Sequence, residues 1–327
     1  MELGKVNLIN DFNMLRRYKA GNVVIVFGVI QLLAVVFGLL FPESFRYLDQ
    51  TNLQVMFRAI PTLGIIALGV NLLMIAGEFD LSVGATFCFA ALIMAKLFNA
   101  GTPVWIAALA ALAAGLLIGA LNGYLTVKSQ VPSFIITLGM MMIWRGVILF
   151  VSQATNESFI PGGFFEKLFT MSLGPMQIQF VWLLAVAALT WLILERHKLG
   201  NHFFAVGGNN KAAGALGINP GRIKIIAFSL AGLLAALAGI ISANYVQSIS
   251  PIQGEGIELQ AIAACVIGET ALMGGQGSVL GAFLGAALLY TIQDVLLLLR
   301  APGFYLKLFV GVIIVAAAIL NRALRKE

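Results

Sequence analysis

The sequence predicts an all-α polytopic membrane protein of about ten transmembrane helices, with both termini inside. Three observations carry that prediction. Hydrophobic residues make up 60% of the chain and charged residues 10%, where soluble domains are about one quarter charged. The apolar residues fall into runs close to the roughly 20 residues that span a bilayer. The basic residues collect in alternate connections between those runs.

The first run, 21–41, follows Lys5, Arg16, Arg17 and Lys19 and shows no clear small-residue cleavage site. It therefore reads as an uncleaved span. Run 53–76 carries Arg58 near its outer end, where a snorkelling anchor is expected, and Pro61, which is expected to kink the helix. A very tight break at 77–80 precedes run 81–99. Runs 103–127 and 132–152 follow, then an outer loop at 153–178. Run 179–195 leads to an inner loop at 196–222, and run 223–245 returns outward. The last three runs are 259–273, 277–299 and 303–321. The eighth is short, so it or the 77–80 junction suits a broken or re-entrant helix.

The inner segments then hold Lys128, Arg196, Lys198, Lys211, Arg222, Lys224, Arg322, Arg325 and Lys326 beside the N-terminal four. The outer side holds Arg46, Lys96, Lys167, Arg300 and Lys307. The bias favours an even number of spans with N-terminus and C-terminus inside. Residues 1–327 read as a single membrane domain. Its basic residues form no patch of their own, which argues against nucleic acid as a partner.

Catalytic signals are missing. No phosphate-cradling GxxxxGK[ST], HExxH or GxSxG occurs, so no cofactor is expected in this chain. Cys88 and Cys265 lie inside apolar segments and read as small buried hydrophobes rather than a disulfide or a metal site.

The chemistry concentrates in a few polar residues within apolar runs. In GEFDLSVGA, residues 77–85, Glu78 and Asp80 stand where a charge costs about 2.5–3.5 kcal/mol at the bilayer centre. Two readings stay open. Asp80 and Ser82 can cap the helix that starts near Leu81, or the pair can stand at a transport path or gate. Arg145, in MMMIWRGVIL, needs a carbonyl, a carboxylate or water, unless it snorkels to the outer interface. Asn122 is a buried amide candidate. Glu269 precedes the glycine-rich MGGQG, which reads as a tight turn or as a broken helix near the path. Asp294 has no obvious partner. GE followed by a Gly-interrupted stretch occurs at 77 and again at 268, a weak hint of a repeat. In the inner loop, KAAGALG lies between Gly-Gly-Asn-Asn and Asn-Pro-Gly, a short helix between breakers.

Four stretches, in order from about residue 60 to 290, resemble one family. They are GEFDLSVGA, GLLIGALNGYLTVKSQVPSFIITLGMMMIWRGV, AVGGNNKAAGALGINPGRIKIIAFSLAGLLAALAGII and ELQAIAACVIGETALMGGQGSVLGAFLGA. The chain is similar to permease subunits of bacterial ABC importers for simple sugars, the ribose, xylose and galactose permeases, within the branched-chain amino acid and sugar permease group. The resemblance implies an inner-membrane, multi-pass permease working with a second copy or paralogue. It implies two cytoplasmic ATPase subunits, which carry the ATP-Mg, and a periplasmic substrate-binding protein that delivers a small-molecule solute. The inner-loop segment looks like the coupling helix that docks on the ATPase, with Gly207, Gly208, Asn209, Ala212, Ala213, Gly214, Gly217 and Ile218 as its residues. Glu78, Asp80, Ser82, Asn122, Arg145 and Glu269 become the candidates for path and gate. Glu78-Phe79 departs from the Gly-Ile usual in the sugar permeases, which leaves nucleosides and branched-chain amino acids open as solutes. A proton-driven secondary transporter, with Glu78, Asp80, Glu269 and Asp294 as proton sites, is the competing class.

Overall fold

Apolar runs without charge favour helices in lipid, because only there are all backbone groups satisfied within the segment. The computed structural model describes residues 20–324, so Lys5, Arg16, Arg17, Lys19, Arg325 and Lys326 lie outside the described residues. Helices stand at all ten expected places. They are α1 (Gly21–Leu40), α2 (Gln50–Ile75), α3 (Val83–Asn99), α4 (Val104–Ser129) and α5 (Ser133–Ser152). Past a short α6 (Gly163–Thr170) come α7 (Ile178–Trp191), which runs on through a wider turn to Arg196, then α8 (Lys198–Gly208) and α9 (Asn210–Ala215). The chain closes with α10 (Pro220–Val246), α11 (Ile257–Ile267), α12 (Val279–Leu298) and α13 (Phe304–Leu324).

Among the described residues, seven helices are long and apolar enough to cross a membrane. Two of the other expected places hold shorter apolar helices, in keeping with the broken or re-entrant helix expected there. The helix expected over 81–99 is 17 residues long, and the one expected over 259–273 stops after 11, at Ile267. At 1.5 Å per residue the second covers about 16 Å, roughly half a hydrocarbon core. Its expected C-terminal part is an irregular loop, 268–278. Two-residue strands also appear: β1 (Glu157–Ser158), β2 (Ser172–Leu173), β3 (Met176–Gln177) and β4 (Ser248–Ile249). β1 pairs antiparallel with β4, tying the 153–177 loop to the α10–α11 connection, and β2 pairs with β3.

α2 is the axis of the bundle. Its residues from Leu63 to Ile75 are all buried, as suits a helix apolar on every side. It runs uninterrupted through Pro61 and packs against α7, α10, α11 and α12. α10 makes the closest seam, against α4. A Cβ on Gly119 would run into the carbonyl oxygen of Phe228, and one on Gly232 into that of Gly115. Small residues let two membrane helices approach to backbone contact. α1, α4 and α5 turn large apolar side chains outward, including Leu32, Leu39, Leu117, Met142 and Phe150. Lipid is the solvent that suits that face.

The bundle has two chemically different ends. Loops 76–82, 130–132, 196–219 and 268–278 share the end that carries Lys128, Arg196, Lys198, Lys211, Arg222 and Lys224, called the basic end below. At the opposite end Lys96 pairs with Glu157 at 2.5 Å, and Asn99 donates to the same carboxylate. Beneath the β1–β4 ribbon, Phe159 is fully buried against Phe98.

The seam predicts a contrast between two alanine substitutions. Gly119→Ala overpacks α4 against α10 and lowers the unfolding free energy by about 1–3 kcal/mol. Gly139→Ala meets nothing within 4 Å and leaves stability unchanged. Thermal unfolding of the two purified variants checks this.

Candidate functional site

Two helices break at the basic end, and both breaks use the same device. α2 ends in a turn closed by Glu78 N–H to the Leu73 carbonyl, with Gly77 at φ +85°. α11 ends with Thr270 N–H on the Cys265 carbonyl and Glu269 at φ +66°. Each is a left-handed helix stop. Glycine takes that conformation freely, whereas glutamate is strained there. Both GE pairs, at 77 and 268, fall at helix terminations, but one residue out of register, the left-handed position being Gly77 in one and Glu269 in the other. The structure places the two terminations side by side.

A broken helix exposes backbone amides that lipid cannot satisfy. The first break solves this with hydroxyls from α5. Phe79 N–H donates to Ser133 Oγ and Leu81 N–H to Thr137 Oγ1, both at 3.1 Å. Asp80, 1% exposed, accepts from Ser82 N–H at 2.7 Å and Ser82 Oγ at 2.6 Å. Asn122 Nδ2 reaches Ser82 Oγ at 2.7 Å and Asp80 at 3.2 Å. The capping expectation is thus modified. Ser82 occupies the N-cap of α3 but makes no capping bond with its side chain, because its hydroxyl is given to Asp80. Asp80, Ser82 and Asn122 form a sealed cluster.

Glu78 is placed differently. Its carboxylate pairs with Lys224 Nζ of α10 at 2.5 Å. Both line a cavity of about 420 Å³ at the basic end, with Thr126, Ser133 and Asn210.

The second break is stitched by Asn71 of α2, which is fully buried. Thr270 Oγ1 donates to its carbonyl oxygen at 2.7 Å, and its amide donates to the Ser278 carbonyl at 3.2 Å. Glu269 is exposed and takes the Asn22 N–H of the first turn of α1, so it stands at the end of the bundle and not within the apolar run. Arg145 finds backbone carbonyls, Gln253 at 2.8 Å and Pro251 at 3.3 Å, near the opposite end. Asp294 accepts from Asn52 at 2.9 Å, so it does have a partner. Arg58 does not snorkel. It folds onto Tyr245, donating to the hydroxyl at 2.5 Å and stacking 4.1 Å from the ring centre, and it also donates to Gln177.

The inner loop holds two helices where one was expected. α8 was missed because LGNHFFAVGG mixes glycine and polar residues. It forms because Phe203 and Val206 bury one face. Asn209 then caps α9, accepting from Lys211 and Ala212 N–H at 3.0 Å each. Gly217, φ +83°, ends the unit, and Asn219 caps α10. Three expected coupling residues face inward. Ala213 is 2% exposed, Ile218 packs on the core, and a Cβ on Gly207 would run into the carbonyl oxygen of Ile75. Gly208, Asn209, Ala212, Gly214 and Gly217 are exposed beside Leu216, which sequence reasoning passed over and which is 80% exposed.

The two breaks and the α8–α9 elbow meet at one point. Gly275 N–H donates to the Ile75 carbonyl at 2.9 Å. A Cβ on Gly274 would lie 2.7 Å from Gly77 Cα, and one on Gly275 2.8 Å from Gly208 Cα. Three loops touch backbone to backbone, so a shift of the elbow displaces both breaks.

A family model described as branched-chain amino acid transport system / permease component matches residues 52–318. The chain belongs to this permease family. It is a permease subunit of an ABC importer, a transport component of the inner membrane and not an enzyme. The permease is 34% identical over 299 residues to the autoinducer 2 import system permease protein LsrC of Escherichia coli K12, spanning 91% of this chain and 87% of that protein. The LsrC proteins of Salmonella typhimurium and Shigella flexneri are each 34% identical as well, over 90% and 91% of this chain and 85% and 87% of their own lengths. No solved structure matches the permease.

The Glu78–Lys224 pair predicts a non-additive double mutant. Glu78→Gln and Lys224→Met each destabilise the protein, and the double variant is more stable than their sum by about 0.5–3 kcal/mol. Unfolding of the purified permeases measures the coupling.

Proposed function

We propose that this permease carries a small, polar, monosaccharide-like solute into the cell, driven by ATP that partner subunits bind and hydrolyse. The observation that carries the reading is the three-loop contact of Gly77, Gly207 and Gly274. It joins an exposed elbow directly to two broken helices, as an energy-coupled gate requires. The relatives' names, autoinducer 2 import permeases, favour a solute of this kind.

In this reading residues 1–327 form one membrane domain with ten membrane-inserted helices, two of them short, and with both termini and the basic end facing the cytoplasm. A second copy or paralogue completes the translocation unit. Two cytoplasmic ATPase subunits carrying ATP-Mg dock on the exposed face of the elbow, at Gly208, Asn209, Ala212, Gly214 and Gly217, with Leu216 as the apolar anchor. Gly207, Ala213 and Ile218 transmit the movement from beneath. A periplasmic binding protein delivers solute to the opposite end. Asp80, Ser82 and Asn122 hold the first break closed, and Glu78 with Lys224 stands at the exit. Glu269 ties the second break to α1, and Arg145 fixes the periplasmic loop at 250–254.

Purification of the permease from its native membrane tests this. A stoichiometric ATPase is expected to accompany it and to be lost when Leu216→Glu disrupts the anchor. In the complete complex Gly207→Ala is expected to reduce severalfold the solute moved per ATP hydrolysed. A permease that purifies alone and accumulates solute on a proton gradient overturns the reading.

A further inference from the structure

Away from the two breaks, a cavity of about 320 Å³ opens between α2, α7, α10, α11 and α12, near the end opposite the elbow. Its chemistry differs from the lipid-facing surface around it. Arg58, Gln179, Tyr245, Gln260 and Tyr290 line it, each from a different helix. Among the described lining residues Arg58 is the one charged side chain, and there is no carboxylate.

Several of these polar atoms are built in without full satisfaction. Gln179 is 1% exposed, and its amide donates to the Phe169 carbonyl, but its own carbonyl oxygen has no partner. The Nε of Arg58 is also buried without one. Both atoms are covered by neighbouring groups, so a ligand in the cavity meets the other polar atoms of its wall. Gln260 and Gln293, from α11 and α12, touch at 3.3 Å and hold spare donors and acceptors. Tyr290 adds a flat apolar face with a hydroxyl edge, and Tyr245 adds the face that Arg58 leaves uncovered.

From this we propose that the cavity is a solute-binding site within a single protomer, the first station after delivery. It suits a small, uncharged, polyhydroxylated molecule with a carbonyl or ring oxygen. Amide side chains both donate and accept, as hydroxyl groups do, and the aromatic faces cover the C–H side of a sugar-sized ring. The Arg58 guanidinium is held by Tyr245 and Gln177, which presents its remaining N–H groups as a fixed fork toward an oxygen. A zwitterionic amino acid would bring an ammonium group with no carboxylate to meet it. The volume stands at the lower end of small-ligand sites, about 300–1,000 Å³. This rests on the import reading above and adds to it where the solute binds and which groups recognise it.

Cysteine labelling in right-side-out vesicles containing the complete importer tests the site. Cys88 and Cys265 are buried, so Ala59→Cys on the cavity wall reports alone to a membrane-impermeant maleimide. D-ribose or autoinducer 2 is expected to slow that labelling severalfold, while L-leucine does not. Met171→Cys, exposed on the same side, is expected to be unaffected by any of the three. Arg58→Ala is expected to raise the KM for uptake of the polyhydroxylated solute about tenfold, the loss of one charge-assisted hydrogen bond. Arg58→Lys is expected to rescue little, because the fork is gone. Polyhydroxylated-solute uptake that Arg58→Ala leaves unchanged, with labelling that no solute slows, overturns the site alone. A wild-type importer that takes up L-leucine and neither of the others overturns the solute reading as well.

Discussion

A backbone amide or carbonyl in hydrocarbon must find its partner within the protein, and the rest of this structure depends on how two broken helices meet that demand. The first break borrows hydroxyls from one turn of α5, Ser133 and Thr137, and an Asp80–Ser82–Asn122 cluster from below. The second borrows Asn71 from α2. In both cases a side chain on a neighbouring helix supplies what the broken helix lost. The two solutions share α2, which ends in one break and stitches the other, and that is why the breaks lie together.

Glycine does the complementary work. At Gly77, Gly207, Gly274 and Gly275 no side chain separates the three loops, so displacement passes between backbones with little slack. A junction built from side chains would absorb part of it by changing rotamers. The Glu78–Lys224 pair adds an electrostatic tie from the first break to the start of α10. The first break is thus tied to the elbow by close packing and to α10 by charge.

Much of the architecture was legible because hydropathy reports lipid contact directly. The long runs became helices within a few residues of where composition put them, and the weakest run, 259–273, proved to be a half-helix. What stayed hidden depends on proximity in space. Lys224 counted as one more basic residue of the inner loop, and nothing in the chain says that it faces Glu78. Ser133, Thr137 and Asn71 look like tolerated polar residues until the amides and the carbonyl they serve are in place. Arg58 was misread for the same reason: an arginine near a helix end ordinarily snorkels, and only the neighbouring helices bring Tyr245 and Gln177 close enough to hold it. α8 escaped because its periodicity is carried by two residues, Phe203 and Val206, among glycines and polar side chains.

α10 begins directly after the elbow, at Pro220, and ends under the β1–β4 ribbon, at Val246. It is one unbroken rod of 27 residues, about 40 Å long. Lys224 stands near one tip and Tyr245, which holds Arg58, at the other. The rod is clamped along its middle where Gly232 meets α4. That is the geometry of a lever with a fulcrum. A tilt of about five degrees about the clamp would move its tips by about 2 Å each, in opposite directions. As the floor of the molecule yields at one side of the fulcrum, the wall of the upper chamber swings the other way, so a single rigid element could make one mouth narrow while the other widens.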